Sequence, residues 1–164
     1  MIHARAVTNQ LSALVALHLW HAQLHCDLHR IAMPGFAESA HPSFFADAPQ
    51  DWVSHARTTC YSYAREVGRV FVKVHNIFSD FVPRDIWYIV LVYESCRNQL
   101  QYVHILNSEI VRDEGLGTYE IMISTVRRMT IFYPSLHSMV SDMWLVHMIT
   151  SRSGRSTDYY SVME

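Results

Sequence analysis

Apolar residues recur at helical spacing along most of this chain, and short turn-forming stretches interrupt them. From Leu17 to Phe36 the sequence reads LHLWHAQLHCDLHRIAMPGF. On a helix, His18, His21, His25 and His29 fall within about 80° of one another. Leu17, Leu24, Leu28 and Ile31 form a second stripe beside them. Only a narrow arc of Gln23, Asp27 and Arg30 reads as wet. A helix that is apolar or aromatic around most of its circumference belongs inside a large helical domain. It is predicted to start at Thr8 or Asn9, to run to Met33, and to stop at Pro34-Gly35.

Residues 34–50 read as a loop, with Phe36, Phe44 and Phe45 as anchors onto the core. A second helix is predicted from Asp47-Ala48-Pro49, with Asp47 as cap and Pro49 in the first turn. Its apolar stripe runs from Trp52 and Val53 through Ala56, Cys60, Tyr63, Val67, Val70, Phe71 and Val74 to Phe78. Thr58, Ser62, Arg65, Glu66, Arg69 and Lys73 lie opposite. Gly68 interrupts the stripe at a cost of about 1 kcal/mol relative to Ala. That loses against ten apolar positions, each large one worth about 1.5–3 kcal/mol when buried. A third helix is expected from Pro83 to about Asn107. Its core IWYIVLVY fits a buried strand equally well, but Cys96, Leu100 and Val103 continue one stripe past strand length.

Gly115 and Gly117 are expected to break the chain, a fourth helix to start at Thr118, and Pro134 to separate it from a fifth. The expectation is an all-α domain over residues 1–150, with about five helices in an irregular orthogonal or antiparallel bundle, and a polar tail over 151–164. Such a bundle is either complete or part of a larger helical domain. In the second case its all-round apolar helices lack partners, and the chain associates when expressed alone.

Net charge is −2, so no basic excess draws the chain to nucleic acid or an anionic membrane. Three dispersed cysteines, Cys26, Cys60 and Cys96, are not a disulfide framework and fit a reducing compartment. No run reaches the length of a membrane helix. Leu11–Trp20 resembles the apolar part of a weak secretory signal, but the periodicity continues through Asp27 and Arg30 without a clean cleavage site.

The histidine ladder invites a metal, since imidazoles at i and i+4 can share one zinc ion. One straight helix rarely supplies more than two ligands, and no Cys, Asp or Glu shares that arc. Packing or hydrogen bonding is the expected role, and a small helical metal-binding protein built on His18, His21, His25 and His29 is the second reading. Arg65, Arg69 and Lys73 form a basic stripe that Glu66 interrupts, which reads as a solvated face. There is no G-x-S-x-G or H-E-x-x-H motif, and Gly115-Leu116-Gly117 follows no strand. Cys60 and Cys96 sit in apolar stripes as inert thiols, and the methionines of the last third read as core filler. The expectation is a non-enzymatic chain without cofactor or metal of its own.

The stretch from Leu17 resembles the regulatory (middle homology) region of fungal zinc-cluster transcription factors. That family carries a helix of the type L-H-L-x-x-x-Q-x-H-x-D-L-x-R-I, a short P-G loop and an E-S/A-A-x-P segment. The matching residues are Leu17, His18, Leu19, Gln23, His25, Asp27, Leu28, Arg30, Ile31, Pro34, Gly35, Glu38, Ser39, Ala40 and Pro42. Cys60 with Ala64 resembles the family's C-x-x-H-A helix, with Tyr63 in place of the histidine. Tyr93-Glu94-Ser95 resembles its A-Y-Q-S helix, with Val92 and Glu94 as departures. The resemblance covers roughly residues 15–150. It implies a nuclear protein of RNA polymerase II transcription and a bridging role for Asp27 and Arg30. It also implies a DNA-binding zinc cluster outside this chain, since six closely spaced cysteines are needed. The partners implied are DNA through that module alone, other transcription proteins or a small-molecule effector. No membrane is implied, and oligomerisation stays open.

Overall fold

A computed structural model describes residues 2–79, 81–83, 85–106 and 109–152. Five helices follow in order: α1 (Ile2–Arg30), α2 (Gln50–Ile77), α3 (Trp87–Leu106), α4 (Glu109–Met129) and α5 (His137–Arg152). Single 3-10 turns at Pro42–Phe45 and Pro134–Leu136 precede α2 and α5. No strand occurs among the described residues, so the fold is all-α, and IWYIVLVY is helical. The tail beyond 152, Asn107 and the side chains of Val103, Val146 and Ile149 lie outside the described residues.

The long α2 is the spine, packing against α1, α3 and α4, while α5 rests on α4. Its inward residues form the expected stripe from Val53 to Val74, and Tyr61 and Ala64 are buried beside it. Trp52 near its start and Phe78 just past its end are exposed, contrary to expectation. The larger of two apolar clusters joins α1, α2, α3, α4 and α5 around Leu19, Val67, Ile89, Met122, Val126 and Val140. The smaller joins Cys26 and Met33 to Cys60, Tyr61, Ala64 and Tyr102.

Several boundaries differ from the periodic reading. α1 begins at Ile2 and ends at Arg30, so Ala32 and Met33 belong to the buried turn that follows. Asp47 does not cap α2; Pro49 stands at that position without a side-chain hydrogen bond. At α3 the Asp85 carboxylate accepts from the Trp87 backbone N–H at 3.0 Å, so the cap falls there and not at Pro83. α4 runs straight through Gly115 and Gly117, because a helical glycine is a propensity cost of about 1 kcal/mol and not a stop. In the loop, Phe36 and Phe45 are partly buried, whereas Phe44 is 79% exposed and anchors nothing.

The main correction concerns the rotation of α1. Val15, Leu19, Ala22, Cys26 and the Gln23 side chain face the bundle. Leu17, Leu24, Leu28 and Ile31 are exposed, with Leu17 at 67%. A helix apolar all round offers no contrast from which to read its orientation. Close packing decides it instead: the small Cys26 lies against Cys60 and Ala64 of α2, and Ala22 is buried in the larger cluster with Val67.

Candidate functional site

Small residues at the crossing of α1, α2 and α3 bring three backbones together, and polar groups there bond to backbone carbonyls. Cys26 Sγ donates to the Cys60 carbonyl at 3.5 Å, and Cys60 Sγ donates back to the Cys26 carbonyl at 3.6 Å. The Cys60 contact and then burial push the Cys26 thiol far up, so it stays protonated. Ser95 Oγ donates to the Ala64 carbonyl at 2.7 Å. Gln99 Nε2 donates both to that carbonyl at 3.2 Å and to Ser95 Oγ at 3.0 Å. These bonds tie α3 to a mid-helix carbonyl of α2. Beside them, both side-chain polar atoms of the fully buried Asn98 lack a protein partner among the described residues.

An ion-pair chain closes the rim of this junction. Arg30 meets Asp27 at 3.1 Å and reaches across to the Glu94 carboxylate on α3. Glu94 also accepts from Arg97 at 3.0 Å, and Arg97 lies 3.9 Å from Glu38 of the loop. Gln23 Nε2 donates to Asp27 at 2.9 Å. The Arg97 guanidinium covers the Phe36 ring at 5.0 Å and the Tyr93 ring at 5.6 Å. With Arg30 at 15% and Glu94 at 19% exposure, this pair is shielded enough to matter, unlike exposed pairs worth about 0–1 kcal/mol.

The histidine ladder resolves into a stacked seam. His25 lies flat on Tyr63 of α2, centroids 4.1 Å apart. His21 meets both edge-on, at 4.7 Å from His25 and 5.8 Å from Tyr63. His29 turns its Nδ1 to the His25 carbonyl at 2.8 Å. His18 is exposed. Among the described residues no three His, Cys, Asp or Glu side chains group as a metal would need.

The structure therefore assembles most of the residues singled out from the sequence. Gln23, Asp27 and Arg30 form the rim with Tyr93. Cys60 and Ser95 lie beneath it, His25 lines its flank, and His18 stands apart. Pro34 presents its carbonyl to Gln101 Nε2 at 2.7 Å, and Gly35 makes the turn with φ +87°. Sequence reasoning missed Glu94, Arg97, Gln99 and Gln101. Glu94 and Tyr63, two of the three departures from the resembled pattern, are the cross-helix partners of Arg30 and His25. The signal for Glu94 lay in Arg30, a cation on a largely apolar stretch whose guanidinium has donors for a second carboxylate beside Asp27. On α2, Glu66 pairs with Arg69 at 3.2 Å and Lys73 at 3.8 Å, which makes the basic stripe a solvated, locally neutralised face.

No family model, no curated protein and no solved structure matches this chain.

Proposed function

We propose that this chain is a regulatory helical region of a fungal zinc-cluster transcription factor, acting in RNA polymerase II transcription in the nucleus. One observation supports the reading above others. The three separate segments that carry the resemblance, around Arg30, around Cys60 and Ala64, and around Tyr93 to Ser95, meet at one junction.

Its chemistry is cohesion between helices. Thiols, hydroxyl and amide bond to backbone, and Asp27, Glu38 and Glu94 each face an arginine. Such a body transmits contacts made on its surface to the domain it is joined to. The cysteines do not fit a zinc cluster: Cys26 and Cys60 face each other's carbonyls, and Cys96 lies in the other apolar cluster. On this reading, zinc and DNA contact fall to a module outside this chain.

The test has two parts. Reading the transcript 5′ of the Met1 codon is expected to reveal six closely spaced cysteines in a basic segment of the same polypeptide. Fusing this chain to an unrelated DNA-binding domain in yeast is expected to change reporter output several-fold, and Arg30→Ala should abolish the change. A transcript without the cysteines, with a silent fusion, rejects the proposal.

A further inference from the structure

The outward half of α1 carries Leu14, Leu17, His21, Leu24 and Leu28, with Ile31 in the turn just past its end, and all six are exposed. Their spacing is 3, 4, 3, 4, 3, which is the a and d stripe of a heptad. A period of 3.5 residues keeps a stripe facing one partner helix, whereas a stripe buried against a broad surface is wider. Trp20 borders this ridge and leans on Trp87 of α3 with centroids 5.8 Å apart, and both rings are about half exposed.

We propose that two copies of this chain pair along α1, antiparallel, with this ridge as the seam. The ridge is self-complementary about a point between His21 and Leu24. Reversing one copy sets Leu14 against the partner's Ile31 and Leu17 against the partner's Leu28. It sets His21 against the partner's Leu24, so the single imidazole never meets its own copy. Parallel pairing would stack two His21 rings in the middle of the seam. Antiparallel pairing also opposes the two helix dipoles favourably.

Exposure and charge agree with this occupant. With Trp20, Trp87 and Ile86 the ridge presents eight large apolar side chains, each 40–67% exposed, and an exposed apolar face of that kind marks a contact site. Between residues 14 and 31 the only Asp, Glu, Lys or Arg are Asp27 and Arg30, which pair within their own chain. No like charges therefore oppose the approach. The seam is only about two and a half heptads long, short for a free coiled coil. Here α1 is already held straight by α2 and α3, so pairing orders little that is not ordered already.

Sedimentation equilibrium of the full chain at tens of micromolar tests the proposal. Wild type is expected as a dimer, and Leu24→Glu with Leu28→Glu as a monomer with unchanged helical circular dichroism. Ile131→Lys with Phe132→Lys, in the turn after α4, is expected to remain dimeric. Orientation is read by mild oxidation. Leu14→Cys with Ile31→Cys should give a covalent dimer, and Leu14→Cys alone should give at least about tenfold less. A wild-type monomer, a dimer indifferent to Leu24→Glu and Leu28→Glu, or efficient cross-linking of Leu14→Cys alone overturns the proposal. Since the ridge is argued from exposure and spacing alone, these results are independent of the transcriptional reading.

Discussion

His25 and Tyr63 stack face to face across the α1–α2 contact, with ring planes 6° apart. Tyr63 stands where the resembled pattern has a histidine, so an aromatic ring is kept at this position. Tyr63→Ala is expected to lower stability by about 2–3 kcal/mol through lost area and stacking. Tyr63→Phe should stay within about 0.5 kcal/mol, because the face of the ring makes the contact. Urea denaturation with a linear extrapolation reads both; equal losses in the two variants would contradict the stacking argument.

Arg30 and Glu94 should couple measurably. Removing either takes away the other's cross-helix partner while Asp27 stays beside Arg30 and Arg97 beside Glu94, so Arg30→Ala or Glu94→Ala is expected to cost about 2–3 kcal/mol, below the ~3–5 kcal/mol of a buried charge left wholly unpaired. A double-mutant cycle should return about 1–2 kcal/mol of coupling, little affected by moderate salt. A coupling near zero would place the pair among ordinary surface ion pairs.

Gly68 lies where α2 and α4 come closest. A Cβ built there would sit 2.9 Å from the Thr118 Cβ. Gly68→Ala improves helix propensity by about 1 kcal/mol, yet overpacking of this kind costs about 1–3 kcal/mol. The net effect is expected to be a lower melting temperature, partly restored by Thr118→Ala. A stabilised Gly68→Ala would show that the two helices separate freely.

Alkaline pH should unfold the chain earlier than its composition implies. Burial pushes the Cys96 thiol up to about 12, although a hydrogen bond with Tyr119 works the other way. Cys26 is raised by its Cys60 contact and by burial, and burial also raises Tyr88. All three hold their protons longer folded than unfolded. Their contribution to stability is intact below about pH 9 and is lost as pH rises through the folded values, at up to about 1.4 kcal/mol per pH unit for each group. Urea midpoints measured in reductant from about pH 8 to about pH 10.5 should fall, and Cys96→Ala should make the fall shallower.

The helices themselves were legible, because Val53 to Val74 and the IWYIVLVY stretch repeat apolar residues beyond strand length. The rotation of α1 was not. Leu17 and Leu19 are chemically alike, and only the smallness of Ala22 and Cys26 decides which of them faces α2. Gly115 and Gly117 misled because a cost of about 1 kcal/mol each was read as a stop. At the junction, Arg30, Cys60 and Ser95 stood out in the sequence, but their meeting is a tertiary fact. Glu94 is 64 residues from Arg30, and no local spacing rule reaches that far.

The turn after α1 depends on a single residue without a side chain. Gly35 adopts φ +87°, and a Cβ there would strike the Gln101 amide that bonds to Pro34. Any replacement must either strain that backbone or push Gln101 off its carbonyl, while the helices on both sides keep their own hydrogen bonds. A chain altered at this one position would keep its helices and lose the Gln101 bond that fastens the turn to α3, a milder lesion of the kind a geneticist seeks in a temperature-sensitive allele.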